Sequence, residues 1–402
     1  MSTILKNLSK ENNNQFKLSL CAGQNSIRNT VTWVYMIEDE YLIPYFHGAE
    51  LAVTTGVKMA HDPSWLMTLV QNLAERHVSG LIVNIGKYVT NIPQDVINFC
   101  NAHDFPLFTM PWEIKITEMI QTFCMSIMKE RHDSMLHDNA MRDAILKRGN
   151  LEESRELLTK YYDLNGTFTV ILIRCKLAGE EMKQFYNIEY LFLNRIRRFK
   201  TQHNLKGTRF GLIRQEQYEL MILNNTDFRL FPEIRNLIFE LYEGAAKANA
   251  LFIGAGIEVQ GISQIHKSFL RAQAAIRMAI YQNKPFIRYE EMGFYKILFS
   301  LKNPEVLYSY ADEVLGPLDA HEAKTHGYLE LLDAYIKNDR SLEKTAAALY
   351  LHRNTVNYRI QKMKTLLDSP LKTAEDLFPY QVALIIRDIQ AHDDEHAVSG
   401  KY

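Results

Sequence analysis

Cysteine is scarce and poorly spaced for covalent work. The 402 residues hold four, Cys21, Cys100, Cys124 and Cys175, with no C-x-x-C pair among them. A disulfide scaffold and a cysteine-built zinc site are thereby excluded, and buried, reduced thiols of a cytosolic protein are expected. Long apolar runs are missing too. Stretches such as Phe168–Ile173 (FTVILI) have strand length and fall short of the ~20 residues a membrane helix needs. The opening MSTILKNLSKENNNQ has no apolar core of a secretory signal. A soluble, cytoplasmic chain without a membrane partner is the expectation. Net charge is absent as well: 46 Lys+Arg against 47 Asp+Glu leave −1. Coating nucleic acid through bulk charge is excluded, whereas a local basic stripe is not. Catalytic signatures are lacking. There is no H-E-x-x-H, G-x-S-x-G or phosphate loop, and His47 and His61 are too far apart in the chain to suggest a metal pair. No catalytic residue, metal or cofactor is expected.

What is present is ordinary globular material, 47% hydrophobic and 23% charged, enough for two to four domains at roughly 100–200 residues each. In residues 15–113, Val31–Ile37, Leu51–Thr55 and Gly80–Ile85 read as strands rich in Val, Ile and Thr. Between the last two, Asp62 is placed to cap a helix with Pro63 at its first position. Leu66, Leu69, Val70 and Leu73 form its apolar face. Pro93 opens the next helix, and FPLFTMP resumes strand character. Such alternation argues for a largely parallel sheet covered by helices. Residues 114–160 lack Pro, and Gly until Gly149, and predict one long helix or two. The stripe Ile116, Met119, Ile120, Phe123 and Ile127, continued by Met135, Met141 and Ile145, suits either a partner chain or its own domain. Residues 161–290 follow the order β-α-β-β-α-β-α, which suits an α+β, ferredoxin-like sheet. Residues 291–402 read as helices only, over 294–338, 342–350, 354–367 and 379–391, with a polar end that frays.

One of these helix pairs carries chemistry. Ser341 can cap a first helix whose Thr345–Ala348 run is small enough for close approach of a second. Leu351–His352–Arg353 connects, Asn354 is placed to cap the second helix, and Val356, Ile360 and Met363 form its inner face. The outer face offers Arg353, Thr355, Asn357, Tyr358, Arg359, Lys362 and Lys364. From His352 to Lys364 there are four Lys/Arg and no acid. A polar, basic second helix can neutralise phosphates while Asn, Thr and Arg at its start reach base edges in a major groove.

The segment TAAALYLHRNTVNYRIQKM resembles the C-terminal helix-turn-helix of the PucR family of bacterial transcription regulators, with Ala346–Leu349, His352, Asn354–Val356 and Tyr358–Ile360 on its pattern. ELAVTTG (Glu50–Gly56) and Val78–Glu113 resemble the family's N-terminal sensor domain, and the middle zone resembles its degenerate GGDEF-like domain. The resemblance implies an α/β sensor over 1–113, a helical linker or dimerisation segment over 114–160, a GGDEF-like domain over 161–290 and an all-α DNA-binding domain over 291–402, with the motif at 342–367. It further implies a regulator, often an activator and often of purine or other nitrogen metabolism, that answers to a small metabolite. Its expected partners are a double-stranded DNA operator, a second copy of the chain or a higher homo-oligomer, and RNA polymerase. His352, Arg353, Asn354, Thr355, Asn357, Tyr358, Arg359 and Lys362 would meet DNA. The hairpin Arg214–Glu219 has no glycine to cradle phosphates, and Gln217 stands where a metal-binding acid is expected, so nucleotide cyclisation is rejected. A non-catalytic scaffold that binds a nucleotide or a protein is the alternative.

Ligands of open parallel sheets sit beyond the carboxyl ends of the strands. Three such ends are legible: Thr54–Thr55–Gly56, Asn84–Tyr88 with Gly86, and Met110–Glu113 with Trp112. Thr54, Thr55, Gly56, Asn84, Gly86, Trp112 and Glu113 are therefore the candidate ligand residues, suited to a planar, polar heterocycle.

Overall fold

In the computed structural model the described residues are 5–11, 13–27, 29–57, 62, 64–175, 188–215, 218–243, 247, 250–301, 303–322 and 327–399. They divide into two compact units, residues 1–251 with 258–269, and residues 252–257 with 270–402.

Strands with apolar residues on both faces need cover on both faces, and the first sheet obeys. It comprises β1 (Ser19–Ala22), β2 (Trp33–Met36), β3 (Glu50–Thr54), β4 (Gly80–Ile85) and β5 (Leu107–Pro111) in the order β1-β5-β4-β3-β2. β2 to β5 are parallel and β1 is antiparallel at the edge. Ala52, Leu81, Val83 and Leu107 pack with α3 (Trp65–Glu75) and α4 (Gln94–Ala102). Leu51, Val53, Ile82, Phe108 and Met110 point the other way, onto α1 (Leu5–Glu11), α2 (Asn13–Phe16) and the start of α5 (Ile116–Leu146). Because β2 to β5 lie side by side in chain order, there is no reversal of strand order among them and no crevice of the kind that a switch point opens.

The expected helix starts shift slightly. Pro63 lies outside the described residues, and α3 begins at Trp65, with Asp62 accepting a hydrogen bond from the Ser64 amide at 2.9 Å. Pro93 is the cap of α4 rather than its first residue.

The stripe on the long helix resolves in favour of its own domain. Met119, Phe123 and Ile127 are buried in the second core above, and Met141 and Ile145 are buried further along. Met135 departs from the stripe and is exposed, together with Met125, Met128 and Leu136. Lys147 in the left-handed region ends α5, and Asn150 caps α6 (Leu151–Thr159) by accepting from the Glu152 amide at 3.1 Å. Of the cysteines only Cys100 is fully buried, which pushes its thiol up to about 12; Cys21, Cys124 and Cys175 are half-buried, against the expectation of uniform burial.

Next in the chain come β6 (Thr167–Cys175), α7 (Ile188–Gln202), β7 (Arg209–Gln215), β8 (Tyr218–Asn224) and α8 (Phe231–Leu241). β8 pairs antiparallel with both β6 and β7, and Gln215 faces Tyr218 across the hairpin. Glu216 and Gln217 lie outside the described residues. β9 (Leu251–Ala255), which lies in the second unit from Phe252 on, runs parallel to β11 (Phe286–Arg288); the short β10 (Val259–Gln260) belongs to the first unit and pairs with β6. α9 spans Ile265–Tyr281.

Among the described residues six α-helices follow in the second unit: α10 (Tyr295–Ser300), α11 (Glu305–Glu322), α12 (Tyr328–Lys337), α13 (Leu342–Ala348), α14 (Arg353–Leu366) and α15 (Ala374–Ser399). The last is longer than its pattern suggests at both ends. The Thr373 hydroxyl accepts from the Asp376 amide at 3.1 Å while the Asp376 carboxylate accepts from the Thr373 and Lys372 amides at 3.0 and 2.8 Å. This reciprocal cap starts the helix five residues before Pro379, and holds the Asp376 carboxyl below its ordinary value. The polar end expected to fray is helical as far as Ser399.

Candidate functional site

α13 and α14 form a short helical hairpin whose geometry follows from local bonds. The Ser341 hydroxyl accepts from the Lys344 amide at 3.3 Å, and the buried Thr345 hydroxyl donates to the Ser341 carbonyl at 2.8 Å. Ala346 is buried and lets the helices close on each other. The second helix is capped by His352, not by Asn354. Its Nδ1 accepts from the Asn354 amide at 3.3 Å, which makes Arg353 the first helical residue. The earlier start rotates no residue off its face. Val356, Ile360 and Met363 are buried as the periodicity requires.

The opposite face is open. His352, Arg353, Asn354, Thr355, Asn357, Tyr358 and Lys362 are exposed and Arg359 is half-exposed. Tyr358 is 70% exposed and serves no core. Arg353 Nε lies 4.0 Å from the Glu343 carboxylate, with both side chains largely in solvent. Such a pair is weak and easily exchanged for another anion. α12 packs against both helices of the hairpin, and α11 packs against α14. The Tyr380 hydroxyl donates to the Leu367 carbonyl at 3.3 Å, and Arg340 donates to the Lys372 carbonyl at 2.7 Å. These bonds hold the end of α14 and the start of α15.

At the carboxyl edge of the first sheet, parallel pairing brings the three predicted strand ends side by side. Thr54 pairs with Val83, Asn84 with Met110 and Ile85 with Pro111. Most of the polar groups there are already engaged. Thr54 is fully buried, and its hydroxyl accepts from the Gly56 amide at 3.1 Å. The Thr55 hydroxyl accepts from the Val57 amide at 3.3 Å. Asn84, 1% exposed, donates to the Met110 and Pro111 carbonyls at 3.3 and 3.0 Å, tying β4 to the end of β5. Gly56 has φ +71°, and a Cβ there would stand 2.7 Å from Val89 Cγ2. Gly86 lies so close to Trp112 that a Cβ would stand 2.5 Å from that residue's own Cβ.

The groups open to solvent are others. Trp112 and Tyr88 meet edge to face at 5.5 Å, with Lys87 Nζ 5.3 Å from the Tyr88 ring, and Glu113 is exposed. Sequence reasoning missed Glu38. Its carboxylate accepts from the Thr55 and Val57 amides at 2.6 and 3.2 Å and anchors the turn after β3. The available signal was its place just past the end of the Val31–Ile37 strand. Among the described residues there is no cluster of three His, Cys, Asp or Glu able to hold a metal, and no helix long and apolar enough to cross a membrane.

An α/β domain with one sheet and a terminal helix-turn-helix with an open basic face define a two-headed, motif-bearing class of protein. Comparison with known proteins makes the class specific. Residues 9–127 match the Purine catabolism regulatory protein-like family, and residues 328–386 match the PucR C-terminal helix-turn-helix domain. The chain therefore carries a PucR-family N-terminal domain and a PucR-type helix-turn-helix. The first match ends at Ile127, the last α5 residue buried in the sheet's second core, and the second begins at the first residue of α12.

Among curated relatives, the Purine catabolism regulatory protein of Bacillus subtilis (strain 168) is 25% identical over 117 residues, 29% of this chain and 22% of that protein. The Proline-responsive transcriptional activator PutR of the same organism is 31% identical over 117 residues, 28% of each chain. The Transcriptional activator PmfR of Paenarthrobacter nicotinovorans is 35% identical over 71 residues, 18% of this chain and 15% of that protein. The matches thus span less than a third of the length of these relatives.

Proposed function

We propose that this protein is a sequence-specific DNA-binding transcription regulator, not an enzyme, that answers to a small nitrogenous metabolite. The observation that carries the reading is the contiguous exposed row from His352 to Lys362, positively charged and free of acids, on a hairpin whose inner face is sealed by Val356, Ile360 and Met363. Arg353, Asn354 and Thr355 sit in the first turn of α14, where side chains reach base edges; Lys362, two turns on, suits a phosphate. The relatives named for purine catabolism and for proline response make a nitrogen-containing effector the natural class to test. Trp112, Tyr88, Lys87 and Glu113 are the groups open to it, on a frame set by Thr54, Thr55, Gly56, Asn84 and Gly86.

A single helix-turn-helix seldom suffices, so the functional form is a homodimer reading half-sites ~34 Å or a multiple apart. The exposed Met125, Met128 and Met135 on α5, three and seven residues apart, suit pairing with a second copy. Residues 161–290 serve as a degenerate, non-catalytic GGDEF-like spacer, consistent with the chain order from β6 to α9. Effector binding acts by favouring one arrangement of the dimer's two DNA-binding heads, and RNA polymerase is the downstream partner of an activator in the cytoplasm.

The test is recovery of sheared genomic DNA by the full-length protein at near-physiological salt, followed by sequencing, with and without added nitrogenous metabolites. Enrichment of a few sites sharing a repeated half-site is expected. Uniform recovery under every condition rejects the reading.

A further inference from the structure

The turn between α13 and α14 contains a residue that the fold does not explain. Leu349 ends α13 and His352 caps α14. Between them Tyr350 adopts φ +53°, in the left-handed region. That region is costly for a bulky side chain and is natural to Gly, Asn or Asp. The turn itself needs only backbone: the Tyr350 amide donates to the Ala347 carbonyl at 3.3 Å, and the Leu351 amide to Ala346 at 2.9 Å. Glycine would make the same two bonds without strain. The ring returns nothing to the core, because Tyr350 is 97% exposed, the most open large hydrophobic residue among those described. A left-handed backbone at an aromatic residue in full contact with water is a place to look for a contact outside this chain.

Its neighbours indicate the partner. The turn leads directly into His352, Arg353, Asn354 and Thr355, all exposed, and Lys344 on α13 is exposed on the other side. In a helix-turn-helix the second helix enters the major groove and the first crosses the backbone, so the turn passes the wall of the groove. A phenol there can lie along a deoxyribose and donate its hydroxyl to a phosphate oxygen.

We infer that Tyr350 is a DNA-backbone contact that fixes how α14 seats in the groove. The inference rests on the DNA-binding reading above and extends it to a residue outside the recognition helix. A backbone contact is indifferent to sequence, so its test needs no operator. Full-length parent, Tyr350→Gly, Tyr350→Asn and Tyr350→Phe are titrated by fluorescence anisotropy onto a short mixed-sequence duplex at about 50 mM salt, where phosphate contacts dominate. Their melting temperatures are measured alongside.

Gly and Asn both tolerate the left-handed turn, so neither variant melts below the parent. Both bind the duplex roughly five- to tenfold more weakly, and Phe, which loses only the hydroxyl, falls between. The slope of log affinity against log salt is unchanged in all three, since no charge is removed. Parental affinity in Tyr350→Gly and Tyr350→Asn overturns the Tyr350 contact and leaves the regulator reading standing. A parent that binds no duplex at this salt overturns both.

Discussion

The helix-turn-helix and the carboxyl edge of the first sheet both present polar side chains at the ends of regular elements, yet they use them in opposite ways. On α14 the polar groups face water while the apolar ones make the fold. At the sheet edge Thr54 and Asn84 are buried and bonded to backbone. In the first place, polar side chains are surplus to folding and available to a partner. In the second they are part of the structure, and binding capacity is left to the residues beside them. The lesson is that polar residue types in a suggestive pattern mark a site only where the backbone has not already claimed them.

The sharpest way to break this contrast is at the start of α14. Replacing Arg353 and Asn354 together with Ala removes two groups able to contact bases, each worth roughly 1–3 kcal/mol of discrimination. We expect the specific complex to weaken by about 2–6 kcal/mol in binding assays, with the thermal unfolding curve unmoved because both side chains are exposed. A drop in melting temperature matching the loss of affinity would erase the distinction between the two regions.

The reverse is expected at the sheet edge. Asn84→Ala leaves the Met110 and Pro111 carbonyls without their donor in a site that water barely reaches. Stability measured by urea denaturation should fall by about 1–3 kcal/mol. DNA affinity measured well below the unfolding transition should stay put. Loss of DNA binding in a variant of full stability would mean instead that Asn84 acts in signalling and not in structure.

The difference in bonding also explains what could be read in advance. The hairpin was legible because its determinants are local: apolar spacing along one helix, small residues on the other and an unbroken run of basic and amide groups. The cap lies two residues before Asn354, a good cap by type, because His352 has the extended backbone a cap requires while Asn354 is already helical. The parallel strands were legible from Val- and Ile-rich runs. Their order was not, and order decides whether a crevice forms at their ends. The amide bonds from Thr55 and Val57 to Glu38 span 17 and 19 residues, and the contact of Gly86 with Trp112 spans 26. No periodicity within one element reports such contacts. The long helix shows the same limit. Its apolar stripe is legible in the sequence apart from Met135, but whether it faces the chain's own sheet depends on Phe108 and Met110 lying across from it.

A smaller effect separates phosphate contacts from base contacts within the recognition face. Lys362 is exposed two turns beyond Arg353 and has no acid within its helix. For Lys362→Ala we expect a uniform loss across sequences, with the slope of log affinity against log salt shallower by about 0.9, the value of one phosphate. An unchanged slope with relaxed sequence preference would move Lys362 into the base-reading set.

The finest distinction concerns the acid that faces α14 from the neighbouring helix. Glu343 lies in the first turn of α13, where a negative charge favours the helix N-terminus, and 4.0 Å from Arg353. Both side chains are more than half exposed, so the pair contributes between nothing and about 1 kcal/mol to folding. Toward DNA its effect has the other sign: it holds Arg353 back and repels phosphate. Glu343→Gln keeps the size of the side chain and one acceptor oxygen while removing the charge. It should cost at most a few tenths of a kcal/mol in stability. Duplex affinity should rise by roughly two- to fivefold at low salt, with the gain fading as salt screens the repulsion. A gain that persists at high salt would point to a released contact of Arg353 with a base, and no gain at all would show that Arg353 is already free of Glu343 in solution.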